Sequence, residues 1–421
     1  MLNSLRGTCD VLPEDIKYWH FLEDKARTLF SSANYLEMRT PLIENQELFQ
    51  KGVGEGTDIV NKEMYAFQDQ GGRNIVLRPE GTAGVTRSFV QNKLYNTKSV
   101  NKIWYAGPMF RYERPQSGRQ RQFNQLGVEC LGIKDPQIDA EVIAMAYKLL
   151  SSLGIGAFRL EINNIGDCIA RQNYSKQLVK YLSNHRSQLD ADSLQRLDTN
   201  PLRILDSKSS DVQNTLKNAP NLFDFIDANS KRHFETLCCY LNALRIPYTV
   251  NSQLVRGLDY YSDTAFEFKT NLLGGQDTIC GGGRYDSLVS KLGGPPTPAI
   301  GWAIGMERLL MLVKDKLIVP ENRLDFYIVS DNILRCKIEA TLLFNSLISV
   351  DQIRVEIDET ASTIRKKIKR AYKSGSKYCV IIGERETKIA SVTVKDLATH
   401  TEKIIKSEDL LLDLNLRQRE T

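Results

Sequence analysis

Three arginine-bearing segments contain the residue types best suited to binding phosphate groups. The segment FRYERPQSGRQRQF, residues 110–123, places arginines on both sides of a polar loop and ends in Phe123. Guanidinium groups bind phosphate oxygens through paired hydrogen bonds, and a neighbouring phenyl ring can stack on a nucleotide base. The segment is therefore a candidate nucleotide site, while a solvated basic hairpin is the structural alternative.

The other two segments each place an arginine beside apolar residues. In LVRGLDYY, residues 254–261, Arg256 lies in a predicted apolar strand, where a charge is costly to bury unless it meets an anion or a carboxylate. In GWAIGMERLL, residues 301–310, glycines permit close approach and Arg308 lies at the start of a predicted helix. The structural alternatives are an internal Arg256–Asp259 ion pair and packing glycines with a surface arginine.

Other residue types exclude several alternative chemistries. The glycine-rich stretches GVGEGTD and CGGGRYD lack the lysine–hydroxyl pair of a phosphate-binding loop, and neither fits the strand–turn–helix pattern of a dinucleotide site. None of the four histidines lies near the arginine segments, so we expect no catalytic histidine. The eight cysteines show no CxxC pair and no metal-ligand spacing, which indicates reduced thiols and no bound structural metal.

The strand-like runs predict an antiparallel scaffold around these segments. KIWYAGPMFRYER and QFNQLGVECLG flank the cationic loop as a long hairpin, and FRLEIN and TAFEFKTN add further strands. Helical patterns cover residues 14–33 and 136–153, and PAIGWAIG leads into the helix MERLLMLV. We expect CGGGRYD to form a turn and TVNSQLVRGLDYY to form a strand.

The 421 residues are predicted to form three sections. A core domain comprises residues 1–166 and 241–318, and residues 167–240 form a mostly helical, polar insertion. After a polar break at VPENR, residues 322–421 alternate strands and helices and are predicted to form a small α/β domain with a mixed sheet. The fold class is therefore α+β rather than one continuous doubly wound sheet.

Composition and patterning indicate where the protein is located, but they do not identify its partners. The net charge of +5 is too small to indicate a polyanionic partner by itself. No apolar run approaches the roughly 18 residues of a membrane helix, and the N-terminal segment is too acidic for a secretory or transit peptide. We expect a cytoplasmic protein with no membrane partner.

Taken together, the motifs resemble the class II aminoacyl-tRNA synthetases and, within them, the histidyl-tRNA synthetase family. YLEMRTPLIENQELF resembles motif 1 of the class, residues 110–123 resemble motif 2, and GWAIGMERLL resembles motif 3. LVRGLDYY and GGGRYD resemble the two histidine-specific signatures, while GEGTDIVNKEMYAF and LRPEGT resemble the flanking active-site segments. The likeness extends over essentially the whole chain. It implies a class II catalytic domain with an antiparallel sheet and a C-terminal anticodon-binding domain.

The resemblance implies a two-step ligase reaction with ATP, L-histidine and histidine tRNA as substrates. Histidine and ATP give histidyl-adenylate and pyrophosphate, and the acyl group then passes to the 3′ end of the tRNA. The substrate carboxylate is already ionised, so the first step needs positive charge at the α-phosphate rather than a general base. This requirement explains a site with arginines and no histidine. Mg²⁺ is expected on the outer phosphates of ATP, with no protein metal site.

The resemblance also assigns roles to individual residues. Arg111 and Arg256 are the expected catalytic cations at the α-phosphate. ATP would contact Arg111, Glu113, Arg119, Phe123 and Arg308, with Phe123 and Arg308 on the two faces of adenine and Arg308 and Arg119 at the γ-phosphate. Histidine would contact Glu80, Thr82, Arg111, Gln125, Glu129, Arg256, Tyr260, Tyr261 and Tyr285. Within that pocket Glu129 and Tyr261 would bind the imidazole, because it offers polar groups on two sides; without the resemblance, Glu129 would be a strand carboxylate paired with an arginine.

The expected tRNA contacts lie in two places. Gln116 and Arg121 of the motif 2 loop are candidates for the acceptor end. The cationic segment STIRKKIKRAYKSGSK, residues 362–377, fits phosphate contacts of an anticodon-binding domain, although a charge run is usually a solvated helix face. A homodimer is expected because motif 1 builds the two-fold interface in this family.

A histidine-binding regulatory subunit of ATP phosphoribosyltransferase is the alternative hypothesis. Such synthetase-like paralogues typically lack the C-terminal domain and parts of the catalytic set. Here the motif 2 arginines, RGLDYY, Arg308 and the last hundred residues are all present. The sequence therefore favours the ligase.

Overall fold

The structure is a computed structural model that describes residues 2–54, 56–273, 277–317, 319 and 323–410. The chain divides into two compact units, Met1–Val319 and Pro320–Thr421. The expected break around Pro320 lies outside the described residues. No helix among the described residues is long and apolar enough to span a membrane.

The first unit is built on an eight-stranded, mainly antiparallel sheet in the order β1-β5-β6-β11-β10-β9-β7-β8, beside a three-stranded antiparallel sheet in the order β2-β4-β3. Its described strands are β1 (Leu36–Glu37), β2 (Ile43–Asn45), β3 (Tyr65–Gln68), β4 (Asn74–Leu77), β5 (Asn101–Phe110), β6 (Gln122–Leu131), β7 (Arg159–Asn164), β8 (Thr249–Val250), β9 (Ser262–Lys269), β10 (Thr278–Arg284) and β11 (Ala299–Gly305). Only the short outer pairs β1–β5 and β7–β8 are parallel in the large sheet. The antiparallel scaffold expected from the strand patterns is confirmed.

Helices cover the large sheet and form the region between β7 and β8. They are α1 (Pro13–Ser32), α2 (Gln46–Val53), α3 (Thr82–Gln91), α4 (Pro136–Ser152), α5 (Cys168–Ser183), α6 (Ala191–Thr199), α7 (Ser210–Leu216), α8 (Ala228–Ala243), α9 (Leu288–Lys291) and α10 (Met306–Val313). A π-helical turn, Ile59–Glu63, precedes β3. Helix α1 packs against α4 and α10, and its buried residues are Leu22, Ala26 and Phe30. Their spacing of four residues puts one apolar stripe of α1 in the core.

The buried core lies between these helices and the large sheet. Trp302 of β11 is almost fully buried, contacts Phe30 edge to face at a ring distance of 5.9 Å, and donates from Nε1 to the Val142 carbonyl at 2.9 Å. This hydrogen bond satisfies the indole N–H, which would otherwise be costly to bury. The core thereby fixes β11, which leads directly into α10 and Arg308.

The segment CGGGRYD forms a strand rather than the turn that its glycines indicated. Residues Gly281, Gly282 and Gly283 lie inside β10, between β9 and β11. A Cβ atom would overlap the Arg256 guanidinium at the first, the Gly301 carbonyl at the second and the Thr264 carbonyl at the third. These glycines therefore serve close approach to neighbouring groups rather than a reversal of the chain.

The segment LVRGLDYY forms a loop rather than the predicted strand. After the two-residue strand β8, residues 251–261 carry no strand assignment. Their backbone is held from other elements: the Asn163 side chain donates to the Leu254 carbonyl at 2.9 Å, and the Asp259 amide donates to the Val53 carbonyl at 3.0 Å. Arg256 therefore lies on a loop and not in a hydrogen-bonded strand.

The region from 167 to 240 is helical, with no strand among its described residues. Asp167 and Asp227 cap α5 and α8 by accepting backbone hydrogen bonds from Ala170 and Ser230 at 2.8 and 2.6 Å. Helix α8 extends to Ala243 and packs on α4, β7 and β9 of the main core. The last helix of the predicted insertion therefore packs as part of the main core.

The second unit contains a five-stranded mixed sheet in the order β13-β12-β14-β15-β16. Its described elements are β12 (Phe326–Ser330), α11 (Leu334–Leu347), β13 (Val355–Ile357), α12 (Ile364–Ser374), β14 (Tyr378–Ile382), α13 (Glu384–Lys388), β15 (Ser391–Asp396) and β16 (Glu402–Lys406). Strand β12 pairs in parallel with β13 and β14, whereas β14–β15 and β15–β16 are antiparallel. The predicted mixed α/β sheet, and with it the α+β class, is confirmed.

One lysine of the cationic helix is not on its surface. Lys367 is fully buried, and its Nζ donates to the carbonyls of Ser330 and Asp358 at 3.0 and 3.3 Å. Arg370, which is half-buried, forms two hydrogen bonds to the Asp358 carboxylate at 2.8 and 3.1 Å. The burial of Lys367 excludes this side chain from a solvated cationic face, and both side chains hold α12 to the ends of β12 and β13.

Candidate active site

A cavity of about 390 Å³ opens at the large sheet of the first unit. It is lined by the β5–β6 hairpin, the start of α3, the loop that follows β8, strands β9 to β11 and the start of α10. Eleven of the residues expected at the site line it: Glu80, Thr82, Arg111, Glu113, Arg119, Phe123, Gln125, Arg256, Tyr260, Tyr261 and Arg308. Residues from all three arginine segments therefore meet at one place.

The β5–β6 hairpin fixes Arg111 at the end of β5. Its Nε donates to the Pro79 carbonyl at 2.8 Å, and its guanidinium lies 5.2 Å from the centroid of the Phe123 ring. Glu113 lies between Arg111 and Arg119, with N–O distances of 3.7 and 3.2 Å. The carboxylate thus holds two arginines on one wall while leaving further N–H groups for a ligand.

Arg308 reaches the hairpin from the first turn of α10. It donates from Nε to the Gly118 carbonyl at 3.0 Å and from Nη1 to the Thr278 carbonyl at 2.7 Å. Burial, with repulsion from Arg119, lowers the pKa of Arg308. The neighbouring positive charges of Arg308 and Arg119 favour a bound anion, because an anion compensates for both the burial of the charge and the repulsion.

Arg256 pairs with Glu267 of β9 rather than with Asp259. The Arg256 guanidinium and the Glu267 carboxylate form an ion pair, and the guanidinium lies 5.3 Å from the Tyr261 ring centroid. Burial lowers the pKa of Arg256, but the Glu267 charge together with Tyr261 and Tyr260 outweighs burial, and the net shift is upward. Arg256 therefore stays charged in the cavity wall, beside Gly281. The expected alternative of an Arg256–Asp259 pair is wrong.

A buried carboxylate lies behind one wall of the cavity. Glu129 is 1% exposed and accepts hydrogen bonds from the hydroxyls of Thr82 at 2.7 Å and Tyr285 at 2.5 Å. Burial raises the pKa of Glu129 to about 8, despite these hydrogen bonds. Its partners are hydroxyls, so the alternative of a strand carboxylate paired with an arginine is wrong. Neither Glu129 nor Tyr285 is among the residues that line the cavity.

Glu80 and Gln125 present polar groups near this carboxylate. The Glu80 carboxylate accepts from the backbone amides of Thr82 and Ala83 at 2.7 and 2.8 Å, at the start of α3, and burial raises its pKa. Gln125 is 8% exposed, and its Oε1 is buried without a hydrogen-bond partner among the described residues. A buried acceptor left open in a cavity wall is a position at which a ligand donor gains a hydrogen bond.

The two acceptor-end candidates lie outside the cavity wall. Gln116 is exposed and forms an antiparallel bridge with Arg119 in the β5–β6 loop, where their backbone N–O distances are 3.2 and 2.8 Å. The Arg121 guanidinium lies 3.8 Å from the centroid of the Tyr112 ring. Arg121 is therefore engaged with the hairpin itself, while Gln116 is displayed at the tip of the loop.

The cavity also contains residues that sequence reasoning missed. Glu267 and Lys269 line it from β9, and Arg203, Asp206 and Lys208 line it from the region between α6 and α7. The alternation in TAFEFK could have placed Glu267 and Lys269 on one face of a strand. No pattern in the sequence marks Arg203, since its position depends on how the insertion folds back.

No group of three or more histidine, cysteine, aspartate or glutamate side chains that could hold a metal ion occurs in the described parts of the chain. The cavity wall does contain separate carboxylates, Glu113, Glu267, Asp277 and Glu307. These oxygens suit a divalent ion that is carried mainly by a phosphate ligand.

Comparisons with known proteins agree with this arrangement. The sequence profile described as histidyl-tRNA synthetase matches residues 7–309, and the profile described as anticodon binding domain matches residues 336–413. A protein named histidine–tRNA ligase, chloroplastic, from Gracilaria tenuistipitata var. liui is 48% identical over 417 residues, covering 99% of each chain. A histidine–tRNA ligase of Acaryochloris marina (strain MBIC 11017) is 50% identical over 405 residues, covering 96% of this chain and 94% of its own.

The fold comparison gives the same answer. The crystal structure of apo histidyl-tRNA synthetase from S. aureus superposes with a TM-score of 0.80 at 37% identity, covering 98% of this chain and 99% of that one. The match spans both units, and the family profile covers more than half of the chain. With the arginine-lined cavity and the profile match in agreement, the chain belongs to the histidyl-tRNA synthetase family.

Proposed function

We propose that this protein is a histidine–tRNA ligase, which activates L-histidine with ATP and transfers it to the 3′ end of histidine tRNA. The observation that carries the proposal is the meeting of Arg111, Arg119, Arg256 and Arg308 at one cavity, next to a buried carboxylate pocket. The relatives named above, matched over nearly their full lengths, support the same reaction.

The first step joins two anions, so the arginines have an electrostatic role. A carboxylate oxygen of histidine forms a bond to the α-phosphorus, and the bond from that phosphorus to the pyrophosphate oxygen breaks. We assign Arg111 and Arg256 to the charge that develops at the α-phosphate. Both are fixed in advance, by the Pro79 carbonyl and by Glu267, so little reorganisation is needed during the reaction.

ATP would occupy the half of the cavity formed by the β5–β6 hairpin and α10. Phe123 offers a ring face for adenine, and Arg308, fixed by the Gly118 carbonyl, would cover the other face. Glu113 lies beside the adenine position and holds Arg119, which would reach the γ-phosphate with Arg308. Mg²⁺ would arrive with the outer phosphates, for which the separate carboxylates of the wall are suitable partners.

Histidine would occupy the half of the cavity nearest Glu129. Glu80, Thr82 and the open Oε1 of Gln125 suit the α-amino group, which is a cation with three donors. Glu129 and Tyr261 would bind the imidazole, while Tyr260 would line the pocket and Tyr285, behind it, would hold Glu129 through its hydroxyl. Glu129 has no arginine partner among the described residues, so an imidazole N–H need displace only hydrogen bonds from hydroxyls such as those of Thr82 and Tyr285. The carboxylate would therefore discriminate against side chains that lack a donor.

Transfer to tRNA would use both units. The terminal ribose hydroxyl attacks the acyl carbon, and AMP leaves. Gln116, displayed at the hairpin tip, is the better-placed candidate for the acceptor end, since Arg121 is engaged with Tyr112. In the second unit the exposed cations of α12 are Arg365, Lys366, Lys369 and Lys373, and these suit anticodon-stem phosphates.

A homodimer is part of the proposal. Motif 1 and its neighbouring strands expose large apolar side chains, at 57% for Leu36, 51% for Ile43 and 46% for Phe67. Exposed apolar side chains of this kind suit a protein interface. Light scattering at micromolar concentration should give twice the 47.8 kDa mass of one chain. Cytoplasmic location stays a prediction, since the named relatives include chloroplastic as well as bacterial enzymes.

Exchange of labelled pyrophosphate into ATP tests the proposed reaction. With the purified chain we expect exchange that depends on histidine and not on the other nineteen amino acids. Exchange with another amino acid instead would refute the specificity. Histidine binding without any exchange or tRNA charging would favour the regulatory-subunit alternative.

A further inference from the structure

The loop that carries Arg256, Tyr260 and Tyr261 depends on contacts from other parts of the first unit. Residues 251–261 carry no strand assignment, so their backbone carbonyls and amides need partners other than a continuous strand ladder. Toward its end the Tyr261 carbonyl accepts a hydrogen bond from Nη1 of Arg171, which belongs to α5 of the insertion. Nη1 of Arg171 also lies 3.5 Å from the Gly166 carbonyl. One guanidinium thus joins the loop end to the residue that precedes the insertion.

A second insertion arginine lies on the middle of the same loop. The Arg203 guanidinium covers Gly257, where an added Cβ atom would lie 3.0 Å from Nη1 and 3.5 Å from Nη2. Arg203 also reaches Asp58 and Asp206 at 3.9 and 3.7 Å, and its side chain is 27% exposed. It therefore bridges the insertion, the residue before the π-helical turn and the residue next to Arg256.

The carboxylate of Asp259 completes the contact between insertion and loop. It is packed against Gly54, and Arg171, Lys291 and Arg203 are the cations whose charges act on it. Burial raises the pKa of Asp259, and these three cations oppose the rise. The insertion arginines thus approach the loop at three of six consecutive residues, 256–261.

We propose that the insertion, through Arg171 and Arg203, positions the loop that carries Arg256 and the two pocket tyrosines, and so contributes to adenylate formation. The inference rests on the proposed ligase function and deepens it. Stabilisation of the α-phosphate requires a cation whose place is fixed, and a misplacement of 1 Å can cost about 10²-fold in rate. Neither arginine touches the reacting atoms in this role, so both are positioning residues.

Arg203→Met tests this role, because it keeps the length of the side chain and removes the guanidinium. We expect the kcat of histidine-dependent pyrophosphate exchange to fall about 10- to 100-fold. We also expect the KM for histidine to rise, because Tyr260 and Tyr261 lie on the same loop, while the KM for ATP changes less. Arg203→Lys should recover part of the rate, since it restores the charge over Gly257 without the planar fork. Arg171→Met should act in the same direction.

Arg196→Met is the matched control. Arg196 lies on α6 of the same insertion and forms its ion pair with Asp192 of that helix, at 3.0 Å. This variant should retain wild-type exchange, and equal losses in the control and in Arg203→Met would overturn the inference. So would wild-type kcat and KM for histidine in both Arg203→Met and Arg171→Met.

Hydrogen exchange of the unliganded protein separates this inference from the ligase proposal. Amides of residues 254–262 should exchange faster in Arg203→Met and Arg171→Met than in wild type or Arg196→Met, with α1 and β6 unchanged. Unchanged protection of residues 254–262 would overturn the positioning role even if the chain proved inactive as a ligase. Faster exchange with no histidine-dependent activity in wild type would instead count against the proposed function alone.

Discussion

Replacing Glu129 with glutamine should make the protein less sensitive to alkaline pH. In the wild type the pKa of Glu129 is about 8 in the folded state, against an ordinary value of 4.5, because the carboxyl is buried. The folded state therefore binds the proton more tightly than the unfolded state does. Its contribution to stability is fully present below pH 4.5 and is lost as the pH rises to about 8. Glutamine is nearly isosteric and does not titrate.

The size of the effect follows from these two pKa values. Since each pKa unit corresponds to about 1.4 kcal/mol, full deprotonation costs the wild type about 5 kcal/mol. About 3 kcal/mol of this loss falls between pH 5.5 and pH 8. Relative to wild type, the free energy of unfolding of Glu129→Gln should therefore increase by about 3 kcal/mol over that interval. The absolute difference at one pH also includes changed hydrogen bonds to Thr82 and Tyr285, so the pH dependence is the informative quantity.

Urea unfolding monitored by tryptophan fluorescence measures the difference. All three tryptophans, Trp19, Trp104 and Trp302, lie in the first unit and report on its unfolding. Glu235→Gln, at an exposed position of α8, is the control and should track wild type at every pH. A constant difference between wild type and Glu129→Gln from pH 5.5 to pH 8 would refute the burial argument. Calorimetry on the same variant should show histidine binding weakened by about 1.5 to 3 kcal/mol.

Three further changes test other parts of the structure. Arg256→Met should lower the pre-steady-state rate of adenylate formation by about 10²- to 10³-fold while histidine still binds; a rate near wild type would remove Arg256 from its assigned role. A chain ending at residue 319 should keep pyrophosphate exchange but lose most tRNA charging through a raised KM for tRNA, and equal loss of both activities would give the second unit a structural role. Asp358→Asn should expose the amides of β12 to faster hydrogen exchange at pH 7. Although burial acts upward, hydrogen bonds from Arg370 and Thr360 hold the pKa of Asp358 well below its usual range, so the stability from this carboxylate is lost as the pH falls below about 4 and the two proteins should then converge.

The parts of the fold with strong local patterns could be predicted from sequence. The β5–β6 hairpin was predicted because two apolar runs flank a polar, cationic loop, and α1 because its apolar residues recur at helical spacing. The mixed sheet of the second unit followed from alternating strand and helix patterns. Each of these features is determined by residues close together in the chain.

The predictions from sequence are wrong or incomplete where contacts between distant parts of the chain determine the local structure. Glycines usually mark turns, but Gly281 lies in a strand. A glycine is required there because a Cβ atom would overlap the Arg256 guanidinium. LVRGLDYY has the composition of a strand, yet partners such as Asn163 and Arg171 hold it as a loop. The position of Arg203 in the cavity had no sequence signal at all.

The burial of Lys367 could have been predicted from helical periodicity. Lys367 lies one turn before Ala371, the other buried residue of α12, and Ile364 and Ile368 fall on the same face at spacings of three and four residues. Residue type suggested a solvated cation, whereas helical position indicated the buried face. When the two disagree in a short amphipathic helix, the position is the better guide, provided that carbonyls such as those of Ser330 and Asp358 can receive the ammonium protons.

The ion pair between Arg256 and Glu267 means that a ligand must compete with an internal carboxylate for Arg256. Glu267 also accepts from the Thr278 hydroxyl at 3.0 Å and lies 3.3 Å from the ammonium of Lys269. An entering anion must compete with a carboxylate that is already in place, so a weak monoanion such as chloride gains little by displacing it. A polyphosphate brings several charges and also engages the cations of the opposite wall. Glu267 thus competes with the ligand for Arg256, so a ligand must carry enough negative charge to displace this carboxylate before it can bind Arg256.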